Sequence, residues 1–179
     1  CANSTLTFWI PTVIREAGFT SPMQVGWIAG AAYLLGAAGM IINGRHSDHR
    51  GEVRWHFAGS VLLGAAGMLA LAVTMGMDSI PVIVALTAMV LALVGTMSAI
   101  PVFWQMPNML LSGGAAAVGV ALINSVANLA GFGAPYLMGV IKATTGKVAP
   151  GLYLVAIVEA LAAVLAIAFV ARIQRRKNA

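Results

Sequence analysis

Long, uncharged apolar stretches separated by short polar segments dominate the hydrophobic pattern of this chain. A transmembrane helix needs about 20 mostly apolar residues, because the hydrocarbon core of a bilayer is roughly 30 Å thick. Five stretches reach that length, and a shorter one precedes them. The predicted spans are 1–14, 23–43, 57–75, 81–111, 114–141 and 151–171. The first stretch is too short to cross a bilayer, so we interpret it as the end of a helix whose start lies outside this sequence.

Composition supports a membrane protein rather than a soluble domain. Of the 179 residues, 60% are hydrophobic and only 8% are charged, whereas soluble domains carry about 25% charged residues. The net charge of +5 is not arranged as a basic stripe with interleaved aromatic residues, which argues against nucleic-acid binding. A single cysteine excludes a disulfide framework and a cysteine-based metal cluster. The pattern predicts one all-α domain, a polytopic membrane helical bundle, with no metal and no cofactor.

The distribution of basic residues predicts the orientation of the bundle. Seven of the ten are Arg45, Arg50, Arg54, Arg172, Arg175, Arg176 and Lys177. They form two segments with four predicted spans between them, so both segments lie on the same side of the membrane. The positive-inside rule places that side in the cytoplasm. We therefore expect a multi-pass protein of the cell membrane, with both ends of this sequence cytoplasmic.

Glycine pairs at helical spacing predict where helices pack closely. Lipid supplies no hydrophobic drive for helix association, so close contact between membrane helices depends on small residues. Gly26 and Gly30 form such a pair in the second span, and Gly64 and Gly67 form another in the third. We expect both pairs to serve helix packing rather than ligand binding.

The fifth span carries small residues and two carboxamides along one face. The residues at steps of three and four are Ala117, Ala121, Asn124, Asn128, Gly131 and Pro135. An amide without a partner in hydrocarbon costs on the order of several kcal/mol. Asn124 and Asn128 therefore face either a partner helix or a wet cavity, and the sequence favours neither alternative.

A second polar stripe lies in the preceding span. Pro101 and Gln105 share a face, with Trp104 beside it, and Pro101 kinks the helix because it removes a backbone donor. Transporters often place such interrupted helices at the substrate site. If the chain is a transporter, Trp104, Gln105 and Asn124 are its candidate substrate-binding residues, with Asn128 supporting them and Trp104 forming an aromatic wall.

Glu159 is the one ionisable residue well inside a complete predicted span. Intramembrane carboxylates are candidates for function because burying their charge is expensive. We favour a structural interpretation, in which Glu159 faces the packed interior and is neutral or paired with Lys142 or Lys147. The alternative is a proton-carrying role in transport. No predicted span contains Lys or Arg, so a cation for an anionic substrate must come from elsewhere.

The segment between the second and third spans carries a recognisable signature. It reads Gly44-Arg-His-Ser-Asp48-His-Arg-Gly51-Glu52-Val-Arg54-Trp-His56. Its Gly, Asp and Gly positions resemble the loop signature of the major facilitator superfamily. His49 stands where that signature usually has Arg, and the Ser-Asp, Gly-Glu, Arg and His positions are similar to the anion:cation symporter branch. Pro101–Pro107, Leu111–Ala115, Asn124–Gly131 and Pro135–Gly139 resemble the tenth and eleventh helices of that branch.

This resemblance implies a six-helix, C-terminal half of a twelve-helix transporter. It implies a proton-coupled symporter for small organic anions, such as hydroxy-, sugar-acid or aromatic carboxylates, that works by alternating access. The implied partners are the substrate anion, the proton, the lipid bilayer and the missing N-terminal half. Gly44, Asp48, Gly51, Glu52 and Arg54 would form a gating loop. Exposed ion pairs between Asp48 and nearby arginines, each worth about 0–1 kcal/mol, suit a gate that opens in every cycle.

Two alternatives to an anion carrier follow from the same residues. A differently selective or non-transporting member of the superfamily fits the pattern, because a fold does not fix a function. An intramembrane enzyme fits poorly, because no nucleophile with an adjacent base and no carboxylate pair share a membrane depth. We therefore predict that the chain is not an enzyme. His46 and His49, with one nearby carboxylate, are a weak pattern for a metal site.

Overall fold

Six α-helices and no strand make up the described part of the chain. The structure, a computed structural model, describes residues 1–109 and 111–177, and it describes the side chains except those of Asn108 and residues 170–177. The helices are α1 (Ala2–Glu16), α2 (Pro22–Arg50), α3 (Arg54–Gly76), α4 (Val82–Asn108), α5 (Gly113–Thr145) and α6 (Ala149–Lys177). Stretches of α2 to α6 are long and apolar enough to cross a membrane. The all-α membrane bundle predicted from the sequence is confirmed.

The second helix extends well beyond its apolar span. We expected residues 44–56 to form a loop, but α2 continues to Arg50 and α3 begins at Arg54, so the loop prediction is wrong. The connection is a three-residue turn that Gly51 starts with φ of 61°, a left-handed conformation that glycine adopts without steric cost. The charged last turns of α2 stay helical because water solvates their side chains outside the apolar span.

Close glycine contacts hold α3 against α4. A Cβ added at Gly95 would overlap the backbone of Gly64, and one added at Gly67 would overlap Ala92. The prediction that Gly64 and Gly67 serve helix packing is confirmed. A Cβ added at Gly26 or Gly30, in contrast, would have no described atom within 4 Å, so this pair does not serve packing within the described bundle.

The third helix is central to the packed core. It packs most extensively against α4 and α6, while α2 packs against α4. Met68, Leu71, Met89 and Leu93 are fully buried between α3 and α4. Helix α5 makes few contacts, and most of its side chains are exposed. It lies beside α1, where a Cβ at Gly131 would be 2.9 Å from Ser4 Oγ and Trp9 Nε1 donates to the Pro135 carbonyl at 3.4 Å.

Helices α2 and α4 run in the same direction, because their contacts advance together along both chains. Gly36 faces Met97, Gly44 faces Pro101, and Asp48 contacts Gln105. One end of the bundle, which we call the motif end, therefore combines residues 44–56 with the last turns of α4. Glu16, Asp78, Lys142 and Lys147 lie at the opposite end.

Candidate functional site

A direct hydrogen bond links α2 to α4 at the motif end. Gln105 Nε2 donates to Asp48 Oδ1 at 2.8 Å, in an exposed position. We expected Asp48 to pair with neighbouring arginines, but no such ion pair forms among the described residues. The carboxylate faces α4 at the level of Gln105, where an amide rather than a guanidinium is in reach.

Glu52 caps the start of α3 and begins a polar chain. Its carboxylate accepts hydrogen bonds from the backbone N–H of Trp55 at 2.8 Å and of His56 at 3.3 Å. The His56 ring contacts Glu52 Oε2 through Nδ1 at 2.7 Å and His46 Nδ1 through Nε2 at 2.9 Å. Partial burial alone would raise the pKa of Glu52, but the hydrogen bonds from Trp55 and His56 outweigh it and lower that pKa. The chain joins the last turns of α2 to the first turn of α3.

The remaining motif residues shape the same end of the bundle. Gly44 is buried against α4, and a Cβ there would lie 3.5 Å from the Pro101 ring, which is an ordinary contact distance. The Arg54 guanidinium stacks over the exposed Trp55 ring at 4.9 Å. The five predicted gating residues therefore lie at one end of the bundle, but in two helices and a short turn rather than in a flexible loop.

Asn43, the residue directly before the motif, joins three helices through polar contacts that the sequence analysis did not predict. Asn43 Nδ2 on α2 donates to Ser60 Oγ on α3 at 2.9 Å and to the Ser98 carbonyl on α4 at 2.8 Å. Ser98 lies one turn before Pro101. A lone Asn at the end of an apolar span was the available signal for this contact, because an amide in hydrocarbon needs partners.

Asn124 and Asn128 are exposed on α5. They continue the face that packs against α1 at Gly131 and Pro135. Counted from Lys142, which pairs with Glu16 at the opposite end of the bundle, Asn128 lies about 21 Å along the helix and Asn124 about 27 Å. Both amides therefore fall within a hydrocarbon core of roughly 30 Å. The exposed Asn128 side chain is not packed within the described chain.

Helices α1 and α2 add polar side chains that the sequence analysis overlooked. Thr7 is exposed and donates to the Asn3 carbonyl at 2.9 Å, and Tyr33 Oη on α2 donates to Thr7 Oγ1 at 3.1 Å. Tyr33 lies about 17 Å along α2 from its start, in the middle of the span. The i, i+4 spacing of Asn3 and Thr7 was the signal for this stripe. We refer to Asn3, Thr7, Tyr33, Asn124 and Asn128 as the polar face.

Trp104 and Gln105 lie near the end of α4, and not at the middle of the membrane, where a substrate site would be expected. Trp104 follows the first residue of α4 by 22 positions, or about 33 Å, which brings it to the motif end rather than to mid-membrane. Its ring contacts the Phe103 ring edge-on, with the centroids 5.4 Å apart. The structure therefore places Gln105 beside Asp48 at the motif end.

Glu159 is buried at mid-span, with only 7% of its surface exposed. The Thr96 hydroxyl of α4 lies 2.7 Å from Glu159 Oε1. Lys142 pairs instead with Glu16 at 2.6 Å, and Lys147 lies 4.0 Å from Asp78. Neither lysine pairs with Glu159, so that alternative is wrong. Both lysines lie at the end of the bundle opposite the motif end, whereas Glu159 lies at mid-span.

Comparison with known proteins finds relatives that align with most of the chain. Two proteins of Agrobacterium vitis named as tartrate transporters are each 42% identical, over 85% and 90% of this chain and 34% of their own lengths. A protein of Acinetobacter baumannii named as a quinolone resistance transporter is 34% identical over 97% of the chain and 39% of its own length. The chain thus spans about a third of the length of these relatives. No family model and no solved structure matches it.

Proposed function

The chain belongs to the major facilitator superfamily, and from this premise we propose that it is the C-terminal, six-helix part of a secondary transporter for small organic anions. The relatives are named as transporters and not as enzymes, which supports the prediction that the chain is not an enzyme. The motif end would face the cytoplasm of a cell membrane, as the basic residues indicate. An N-terminal half would supply the other wall of the transport pathway.

The polar face is the observation that carries this proposal. Hydrocarbon offers no partners to amides and hydroxyls, so side chains at this depth need water, protein or substrate. The polar face spans α1, α2 and α5, and a cavity between two halves would supply that contact. Asn124 and Asn128 would donate hydrogen bonds to carboxylate or hydroxyl oxygens, while Trp104 would line the cytoplasmic entrance.

The contacts at the motif end would hold this cavity closed on one side of the membrane. The Asp48–Gln105 bond is exposed, and exposed polar contacts are worth no more than about 1 kcal/mol. A contact of this size can break and re-form in each transport cycle. Proton coupling would rest on carboxylates outside the polar face, because no Asp or Glu belongs to it.

Uptake of labelled tartrate by the full-length protein in proteoliposomes tests the proposal. We expect saturable uptake that increases with an inward proton gradient. A hydrogen bond to a charged acceptor contributes about 1.5–3 kcal/mol, so Asn124→Ala should raise KM roughly ten-fold or more. Ser125→Ala is the matched control, because the Ser125 hydroxyl bonds to the carbonyl of Ala121 within its own helix, and it should leave KM within about two-fold.

Two results of the uptake experiment would indicate a different function. Transport of a quinolone in place of tartrate would indicate a differently selective member of the superfamily, for which the relative of Acinetobacter baumannii gives a precedent in name. A well-folded protein that binds but does not move any organic anion would indicate a non-transporting member.

A further inference from the structure

A buried carboxyl group lies where three helices meet in the interior of the bundle. Glu159 on α6 reaches Thr96 on α4, and a Cβ added at Gly64 on α3 would be 2.9 Å from Thr96 Oγ1 and 3.2 Å from Glu159 Oε1. Gly64 thus leaves the space that the carboxyl group occupies. Glu159 lies ten residues into α6, or about 15 Å from its start, close to the middle of the bilayer.

The hydrogen bonding around this group is too sparse for a carboxylate. An ionised carboxylate accepts at both oxygens, but Glu159 Oε2 is buried with no hydrogen-bond partner among the described residues. None of the ion pairs in the described chain includes Glu159. A buried charge without a counter-charge costs several kcal/mol even after relaxation. A protonated acid fits better, because the Thr96 hydroxyl donates to one carboxyl oxygen and the other oxygen, once protonated, carries no charge.

We propose that Glu159 is a proton-binding site, at which a bound proton keeps the carboxyl group neutral and packed between α3, α4 and α6, beside Thr96. The site lies in the core between α3, α4 and α6, so it is separate from the polar face. Among the described side chains, no other titratable group hydrogen-bonds or ion-pairs with it: α3 contributes Gly64 and α4 contributes Thr96. The inference does not depend on which substrate is transported.

Infrared spectroscopy of the full-length protein in lipid nanodiscs tests the proposal directly. A protonated carboxylic acid gives a carbonyl stretch well separated from the carboxylate bands. Other protonated carboxyl groups of the full-length protein can contribute to the same band, so the Glu159 band is measured as a difference. At neutral pH, we expect the wild-type spectrum minus the Glu159→Gln spectrum to contain this band. Glu52→Gln is the matched control, because Glu52 is partly exposed and ionised. This variant should retain the band.

Thr96→Val keeps the volume of the side chain and removes the hydroxyl. It should shift the Glu159 band, because the hydrogen bond of the acid is lost, and it keeps the proposal testable if Glu159→Gln does not fold. A difference spectrum without this band, or an unchanged Glu159 band in Thr96→Val, would overturn the proposal. Failure of tartrate uptake would not affect it, so the two proposals are tested separately.

Discussion

Replacing Asn43 by alanine should loosen the contact between three helices at the motif end. The side chain donates two hydrogen bonds, one to the Ser60 hydroxyl on α3 and one to the Ser98 carbonyl on α4. Alanine removes both donors and leaves the helical backbone intact. The expected result is a lower free energy of unfolding with the same fold.

The magnitude follows from the two bonds and from what remains after their loss. A neutral hydrogen bond contributes about 0.5–1.5 kcal/mol in proteins, and measured side-chain bonds within membranes average about 0.6 kcal/mol. The Ser60 hydroxyl can turn to a carbonyl of its own helix, so it is not left without a partner. We therefore expect Asn43→Ala to cost roughly 1–2 kcal/mol, of which about 0.6 kcal/mol should appear as coupling to Ser60.

Unfolding of the full-length protein in mixed detergent micelles measures this cost. A double-mutant cycle of Asn43→Ala and Ser60→Ala isolates the coupling. Asn128→Ala is the control, since it replaces an exposed asparagine and should change the free energy by less than about 0.5 kcal/mol. The reasoning is refuted if Asn43→Ala costs no more than Asn128→Ala, or if the coupling is zero.

Three further predictions follow from the same structure. Gly95→Ala should lower the free energy of unfolding by about 1–3 kcal/mol or more, because a Cβ there overlaps the Gly64 backbone. Gly59→Ala is the control and should be close to neutral, because there is open space around Gly59. Equal effects of the two substitutions would contradict the close crossing of α3 and α4. Because hydrogen bonds lower the pKa of Glu52, the stability that its carboxylate contributes is present at neutral pH and is lost as pH falls through that lowered pKa. Glu52→Gln should remove this pH-dependent contribution to the free energy of unfolding, which is no more than about 1 kcal/mol at a partly exposed site. An unchanged pH profile of unfolding in Glu52→Gln would show the cap to be unimportant. Cysteines introduced at Ser47 and Thr144 should be labelled from opposite sides of the membrane; labelling from one side would contradict the topology.

Much of the fold follows from the sequence because bilayer thickness constrains it so strongly. An apolar run of fixed length has to be helical in lipid, so each predicted span corresponds to one helix, and the glycines of α3 mark a close crossing. The span predicted at 81–111 was too long, because α4 ends at Asn108. The boundary at residues 44–50 was mispredicted, because charge marks the end of the hydrocarbon and not the end of a helix. Only Gly51, with its left-handed conformation, ends α2.

The candidate site was harder to predict, because spacing assigns a face but not a depth or a partner. Asn124 and Asn128 lie on one face of α5, as their spacing predicted. Gln105 shares a stripe with Pro101, yet its partner is Asp48, 57 residues earlier in the chain, and no local pattern shows that contact. Asn43 and Tyr33 were missed because each is a single polar residue in an apolar run, and their partners lie on other helices.

Accessibility of position 128 tests the central claim, a water-filled substrate cavity against the polar face, most directly. The full-length protein would carry Asn128→Cys in a background without other cysteines, with Cys1 replaced by serine. Val126→Cys is the control, because Val126 is an exposed apolar residue of the same helix and would face lipid. The account predicts that a water-soluble thiol reagent labels Asn128→Cys, that tartrate slows this labelling, and that Val126→Cys stays unlabelled. Failure to label Asn128→Cys, or labelling that tartrate does not slow, would contradict it.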